Sequence, residues 1–506
     1  MPVSVQSFVL HGIEPGPCEI EVDTTGTDQW PPPKPVVVGL PDAAVKESVE
    51  RVVSAIGNSG YTLNPDKVLI SLAPADVKKV GPRYDLPMAI GLLHRQQVIR
   101  TDRHGGLLFA GELALDGRIR PISGVINMAL LARRAGAAGV VVPRENAAEA
   151  SAVQGVAVYA ADTLREIVDF LNADAELAPV ASAELAPLLR NATAAVDFAD
   201  VRGQEGAKRA LLIAAAGSHN ALMLGPQGTG KTLMAKALPG LLPPLCPDEA
   251  LEVTRIYSSI GQVPRDAPLI ESRPVRTPHH TASPAAVIGG GSTPRPGEVS
   301  LAHHGVLFLD ELPEFPRAVL ETLRQPLEDA VVTIARAAGS VSFPARFMLL
   351  AALNPTPKGS QSGDAAGKKA QEKYLAKLSG PLVDRIDIHV EVPPVPHAVL
   401  MGRTAGTTTA QMRERVVAAR TLQSARNGGP LHPNASLSHR RLDELATPDA
   451  AGRQLLAQAM AELGLSARAY DKVRRVARTI ADLEAAEVVG LPHIAEAVQY
   501  RVLDRV

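Results

Sequence analysis

Eight consecutive residues, Gly225-Pro226-Gln227-Gly228-Thr229-Gly230-Lys231-Thr232, restrict what this chain can fold into more than any other stretch. They match G-x-x-x-x-G-K-[ST], a loop whose backbone N–H groups wrap a triphosphate between a buried strand and the start of a helix. Both neighbours are legible. The apolar run Ala221-Leu222-Met223-Leu224 predicts the strand, and Thr232 to Leu238 predicts the helix, stopped by Pro239-Gly240. Further on, Val306-Leu307-Phe308-Leu309 predicts a second buried strand that ends in the adjacent carboxylates Asp310-Glu311. The roles divide by chemistry. Lys231 reaches the β- and γ-phosphates, Thr232 and Asp310 offer oxygen ligands to Mg²⁺, and Glu311 orients the attacking water. Together they predict ATP binding and hydrolysis on an α/β core with a parallel sheet.

A chain of 506 residues has room for two to four domains, each with its own core. The formal net charge of −1 excludes a globally basic nucleic-acid binder, so any contact with DNA must come from a local patch or a channel. Two cysteines, Cys18 and Cys246, cannot build a disulfide framework and suit a reducing cytosol. No secretory signal is visible at the N-terminus, and no run reaches the roughly 18 apolar residues of a membrane span. A cytoplasmic protein with no membrane partner is expected. With one Trp, seven Tyr and eight Phe, the cores must be aliphatic, which argues against a base-stacking platform.

Four regions follow along the chain. Residues 1–172 alternate strands and helices: Pro35 to Leu40 and Val68 to Leu72 predict strands around a helix opened by Asp42 and closed by Asn58-Ser59-Gly60. Leu107 to Leu115 and Arg118 to Ile122 flank Asp116-Gly117, a hairpin signal, before a helix over 124–135 and a strand at Val140–Val142. Residues 173–195 are Ala/Glu/Pro-rich and read as a linker. Residues 196–394 carry the nucleotide chemistry. Residues 395–506 read as helices, with Tyr470, Val473, Val476, Ala477, Ile480 and Leu483 as one apolar stripe and Pro492 as a first-turn proline.

Longer motifs surround the loop. Asp197-Phe198-Ala199-Asp200-Val201-Arg202-Gly203-Gln204-Glu205 precedes it, and Arg276-Thr277-Pro278-His279-His280-Thr281, Gly289-Gly290-Gly291 and Gly297-Glu298-Val299-Ser300-Leu301-Ala302-His303 follow. Later come Lys377-Leu378-Ser379-Gly380-Pro381-Leu382-Val383-Asp384-Arg385-Ile386-Asp387 and Arg478-Thr479-Ile480-Ala481-Asp482-Leu483. In these motifs, and in their order over nearly the whole length, the chain resembles the ComM/YifB family, AAA+ ATPases related to the magnesium-chelatase ATPase subunit. The resemblance implies an N-terminal Lon-protease-like α/β domain, an AAA+ core and a C-terminal helical lid, assembled as a hexameric ring. It implies that Asn354, at the end of strand Phe347 to Leu353, senses the γ-phosphate. Arg385 would be the arginine finger that reaches a neighbouring subunit's ATP, and Arg468, beside the N-cap Ser466, the second sensor acting in cis.

Two departures from that pattern matter. A Lon-type peptidase needs a serine paired with a lysine base. Here Gly81-Pro82-Arg83-Tyr84 stands where the serine would fall and Ile126 where the lysine would, so peptidase activity is not expected. The family's cysteine cluster after Asn354 is replaced by Pro355-Thr356-Pro357-Lys358-Gly359-Ser360 and a basic Gly367-Lys368-Lys369, so no thiolate zinc site is expected. The pairs His279-His280 and His303-His304 read as polar loop residues.

Two projections are candidates for a ring's pore: the Pro/Gly-rich insertion 269–300, with Arg273, Arg276 and Arg295, and a hairpin between Val331–Ala335 and Val341–Phe343 whose turn holds Arg336. Repeated around a ring, a few arginines line a channel with positive charge, which suits single-stranded or branched DNA. The resemblance implies a DNA translocase or helicase that drives branch migration of transforming DNA. A magnesium-chelatase-type motor and a non-proteolytic protein-remodelling ATPase are the alternatives.

Overall fold

Alternation builds the first sheet. Val5, Ser7 and Val9 on β1 (Val3–His11) and Cys18, Ile20 and Val22 on β2 (Glu14–Thr25) share one buried face of a long antiparallel pair. The computed structural model describes all residues except 1, 28–32, 193, 266, 292, 337–338, 355–377, 379, 398, 400–405 and 502–506. They form two units, one of Met1–Leu188 with Ala250–Ile270, the other of Leu189–Glu249 with Glu271–Val506.

In the first unit the chain continues through β3 (Val36–Val38), β4 (Lys67–Ala73), β5 (Leu107–Phe109), β6 (Glu112–Leu113), β7 (Ile119–Arg120), β8 (Gly139–Pro143) and β9 (Ala157–Ala161). A seven-stranded sheet runs β3-β4-β2-β1-β5-β8-β9. Helix Ala43–Asn58 is capped by Asp42, whose carboxylate accepts from Val45 N at 2.9 Å, as the sequence pattern predicts. The hairpin over Asp116-Gly117 is present, but only β6 and β7 pair in it. Leu107–Phe109 joins the main sheet instead, where β1 and β8 bury it on both sides.

Residues 250–270 pack in this unit although they lie between the phosphate loop and Asp310 in sequence. Gly124 N donates to Ser258 O at 2.9 Å, Asn127 Nδ2 donates to Arg255 O at 3.1 Å, and Ser258 Oγ donates to the buried Glu149 carboxylate. These bonds hold the end of helix Pro247–Ser259 against the start of helix Val125–Ala135. Ile126, in the lysine's place, opens that same helix, and its N–H bonds Glu149 at 3.0 Å. Arg83, in the serine's place, points at Ser123 Oγ, 3.4 Å away.

The second unit contains β10 (Ala221–Leu224), β11 (Val275–Arg276), β12 (Gly289–Gly290), β13 (Arg295–Pro296), β14 (Val306–Leu309), β15 (Val331–Arg336), β16 (Gly339–Pro344), β17 (Met348–Leu353) and β18 (Ile388–Glu391). Five of them form an all-parallel sheet ordered β11-β14-β17-β10-β18. Such a sheet is buried on both faces, so its strands read as unbroken apolar runs, and β10, β14 and β17 are those runs. Helix Glu205–Gly217 and the C-terminal helices Thr409–Asn427, Ala450–Leu463, Ala467–Leu483 and Leu491–Gln499 close over it; Val473, Val476, Ala477 and Ile480 lie in the same core as Met223 and Leu350. Among the described residues no helix is long and apolar enough to cross a membrane.

Candidate nucleotide-binding site

The phosphate loop leaves the end of β10 and turns through Gly228 (φ 77°) and Gly230 (φ 93°), left-handed conformations that glycine adopts without steric cost. Gly225 is needed for another reason: a Cβ there would come within 2.2 Å of Val392 O on the neighbouring segment. Lys231 is buried, and its Nζ donates to Gly225 O and Pro226 O at 2.7 Å each and to Asn354 Oδ1 at 3.1 Å. Burial lowers its pKa against the opposing pull of Asp310 and Glu311. Thr232 Oγ1 donates to Asp310 Oδ2 at 2.8 Å. The structure thus brings together Lys231, Thr232, Asp310 and Asn354 from β10, β14 and β17, elements far apart in sequence.

Glu311 sits beside them in a left-handed conformation (φ 50°, ψ 49°), rare for a non-glycine residue and concentrated at functional turns. Two neighbours escaped the sequence reading. Gln204, also left-handed (φ 60°), donates to Thr229 O at 3.2 Å and Pro393 O at 2.7 Å, tying the loop to the segment after β18. His280 Nδ1 lies 4.0 Å from Glu311 Oε2, with its ring against His279 (centroids 4.1 Å) and edge-on to Phe315. Both stand in the quoted motifs, but nothing in their local pattern shows what they touch.

Arg385 and Arg468 lie at the other end of the sheet. Ile388, the first residue of β18, pairs with Ala221, whereas Glu391 pairs with Leu224, from which the phosphate loop departs. Arg385 precedes Ile388, so the length of a strand, about 10 Å at ~3.3 Å per residue, separates it from its own loop. There it donates to Pro381 O and to Glu328. Arg468 donates to the same Glu328 at 2.8 Å and lies 3.9 Å from Asp384. The hydrogen bond from Arg385, joined by the charge of Arg468, holds the Glu328 carboxyl below its usual range. Arg468, expected to act in cis, thus shares Glu328 with Arg385, a strand's length from the phosphate loop of the same chain.

The pore candidates divide as well. Arg273 is not free. It pairs with buried Glu249 at 2.7 Å and also donates to Pro243 O and His304 O. Arg276 is bidentate to Glu298 at 2.6 and 2.9 Å. Both are internal braces, because the insertion is folded (β11, helix Pro284–Ile288, β12, β13) and not an open loop. Arg295 is exposed on β13. Arg336 ends β15 opposite Gly339, at the tip of the expected hairpin. Ile334 of that hairpin packs over Gly289, where an added Cβ would meet its Cδ1 at 3.1 Å, so the two hairpins are neighbours. The cysteine-free loop after Asn354 lies outside the described residues.

A parallel sheet carrying a phosphate loop, an adjacent carboxylate pair and a polar sensor, closed by C-terminal helices, defines an AAA+ P-loop core. Residues 197–400 match the family model described as magnesium chelatase, subunit ChlI; residues 20–146 match subunit ChlI of Mg-chelatase, and 406–501 its C-terminal part. The chain is 43% identical over 474 residues to competence protein ComM of Haemophilus influenzae, covering 93% of this chain and 92% of that one. It is 41% identical over 504 residues to YifB of Salmonella typhimurium, covering 99% and 97%. Lon protease 2 of Bacillus subtilis is 30% identical over 125 residues, 24% of this chain and 22% of that one. The chain belongs to the ComM/YifB family of magnesium-chelatase-like AAA+ ATPases.

Proposed function

We propose that this chain hydrolyses ATP as a subunit of a ring and uses the energy to move along DNA. One observation carries the reading: the groups that hold and attack a triphosphate converge at one end of the sheet, while Arg385 and Arg468 converge at the other. A complete site then needs the loop edge of one copy and the arginine edge of the next. The paired hydroxyl and carboxylate of Thr232 and Asp310 fit a hard, oxygen-seeking cation. Bound there with ATP, Mg²⁺ would neutralise charge on the β- and γ-phosphates. Lys231 would exchange its two carbonyls for phosphate oxygens, Asn354 would hold the γ-phosphate end, and Glu311 would align the water. The partner copy's arginines would meet the charge that develops on the transferred group, without moving through their own subunit.

The substrate reading rests on the two adjacent hairpins, whose tips bear Arg295 and Arg336, and on kinship with a protein named for competence, which favours transforming DNA as cargo and branch migration as the task. Six copies would surround one strand or a junction. The experiment is a comparison of ATPase stimulation by forked DNA, by porphyrin with Mg²⁺, and by unfolded protein. Stimulation by forked DNA alone is expected; stimulation only by porphyrin or only by unfolded protein would replace this reading with a chelatase-type or a remodelling motor.

A further inference from the structure

Two histidines and an aspartate with no part in the nucleotide site stand together in the first unit. His94 lies in the last turn of helix Asp85–Arg95, and Asp102 and His104 lie on the turn that leads into β5. His94 Nε2 is 3.4 Å from Asp102 Oδ1. The two imidazoles are 4.5 Å apart and tilted by 60°. One ligand atom from each of the three groups lies within 4.8 Å of the other two. His104 is only 7% exposed, and its Nδ1 is buried with no hydrogen-bond partner among the described residues.

We propose that His94, Asp102 and His104 bind a divalent transition ion of the Zn²⁺ type, with a fourth position open to water. Two imidazole nitrogens and one carboxylate oxygen are a donor set for Zn²⁺ and its neighbours, whereas Mg²⁺ and Ca²⁺ seek oxygen alone. Around a tetrahedral ion with bonds of about 2.0 Å the ligand atoms stand about 3.3 Å apart, so the groups need to close by about 1.5 Å at most. Asp102, 95% exposed, is free to make that adjustment.

The surroundings favour a cation. Arg95 is turned toward Asp23 and Thr24 O, and Arg103 toward Phe170, donating to its carbonyl and lying over its ring. The C-terminal end of the 11-residue helix Asp85–Arg95 adds the negative end of its dipole where the ion would rest. An unpartnered polar atom in a buried ring is costly, and a metal bound at His104 Nδ1 would offset that cost. The set contains no thiolate, and for that reason a search of the sequence for cysteine ligands passes over it.

The test is calorimetric titration of the chelator-treated full-length chain with Zn²⁺ near neutral pH, repeated with Co²⁺ to read tetrahedral geometry from its visible absorption. One tight equivalent is expected, with a rise in melting temperature. Asp102→Asn and His94→Gln, at more exposed positions, should each weaken that equivalent roughly tenfold or more and remove the thermal rise. His104→Ala should do the same, and Lys231→Ala should leave it unchanged. A chain with no tight equivalent, or one whose Asp102→Asn and His94→Gln variants bind Zn²⁺ as the unaltered chain does, overturns the proposal.

Discussion

Lys231 and Glu311 stand in one site but act on different things. The ammonium group is buried among acceptors and in the proposed reaction would compensate phosphate charge, whereas Glu311 would act on water. Lys231→Ala is therefore expected to abolish tight ATP binding, while Glu311→Gln keeps binding within a few-fold and lowers turnover roughly a hundredfold or more. Equilibrium binding of a fluorescent nucleotide beside steady-state turnover separates the two; wild-type turnover in Glu311→Gln would remove the glutamate from its role. A second residue links the core to pH. His389 on β18 is buried, and burial, with the charge of Arg501, pushes its pKa down to about 3. An unfolded imidazole titrates near 6.5, so between these values the unfolded chain binds the extra proton. Stability is full above that window and falls as pH drops through it, by about 1.4 kcal/mol per pH unit at most from this group. His389→Leu should flatten the fall in melting temperature between neutral and mildly acidic pH; an unchanged slope would assign the acid sensitivity elsewhere.

Among the elements, the insertion before β14 and the β15–β16 hairpin after it place their arginines in opposite surroundings. Arg273 neutralises a carboxylate that is itself buried, so Arg273→Ala leaves Glu249, among the described residues, only Cys246 N at 3.0 Å and His304 Nδ1 at 3.4 Å, at a cost of about 3–5 kcal/mol at most. Urea unfolding should register that loss, with DNA binding by the folded fraction intact. Arg336 ends β15, opposite Gly339. Arg336→Ala should leave basal ATPase and the unfolding midpoint near those of the parent while weakening DNA affinity and flattening its dependence on log salt. If affinity and salt slope both stay unchanged in an assembled ring, Arg295 on the neighbouring hairpin becomes the better candidate.

For the whole molecule, the separation of the phosphate loop and Arg385 to opposite ends of the parallel sheet makes the proposed role across a subunit interface testable. Mixing Arg385→Ala chains with Lys231→Ala chains should restore part of the ATPase, because some interfaces then pair an intact loop with an intact arginine. The same mixture with Arg468→Ala is more telling. An arginine acting on its own subunit's nucleotide cannot be complemented by Lys231→Ala, whereas one acting across the interface can. Restoration in both mixtures is the expected result; failure of the Arg468 mixture, with mixed rings shown by mass, would return that residue to its own subunit.

Local order was legible wherever one element carries its own signal. The strand, loop and helix around Lys231, the carboxylates ending β14, the Asp42 and Ser466 caps and the first-turn Pro492 all appear where periodicity and capping chemistry predict. The long β1–β2 pair and helix Asp85–Arg95 were not read, since their side-chain patterns mean little until a partner defines which face is inside. Strand order belongs to the folded state: nothing in a run of apolar residues says that β18 lies beside β10 and carries Arg385 away from the phosphate loop of its own chain. The same holds for His280 beside Glu311 and for residues 250–270 packed in the first unit. Sequence determined which groups exist and which local shapes carry them. Tertiary structure alone decided which of them meet, because adjacency across a sheet depends on long-range packing that no local spacing encodes.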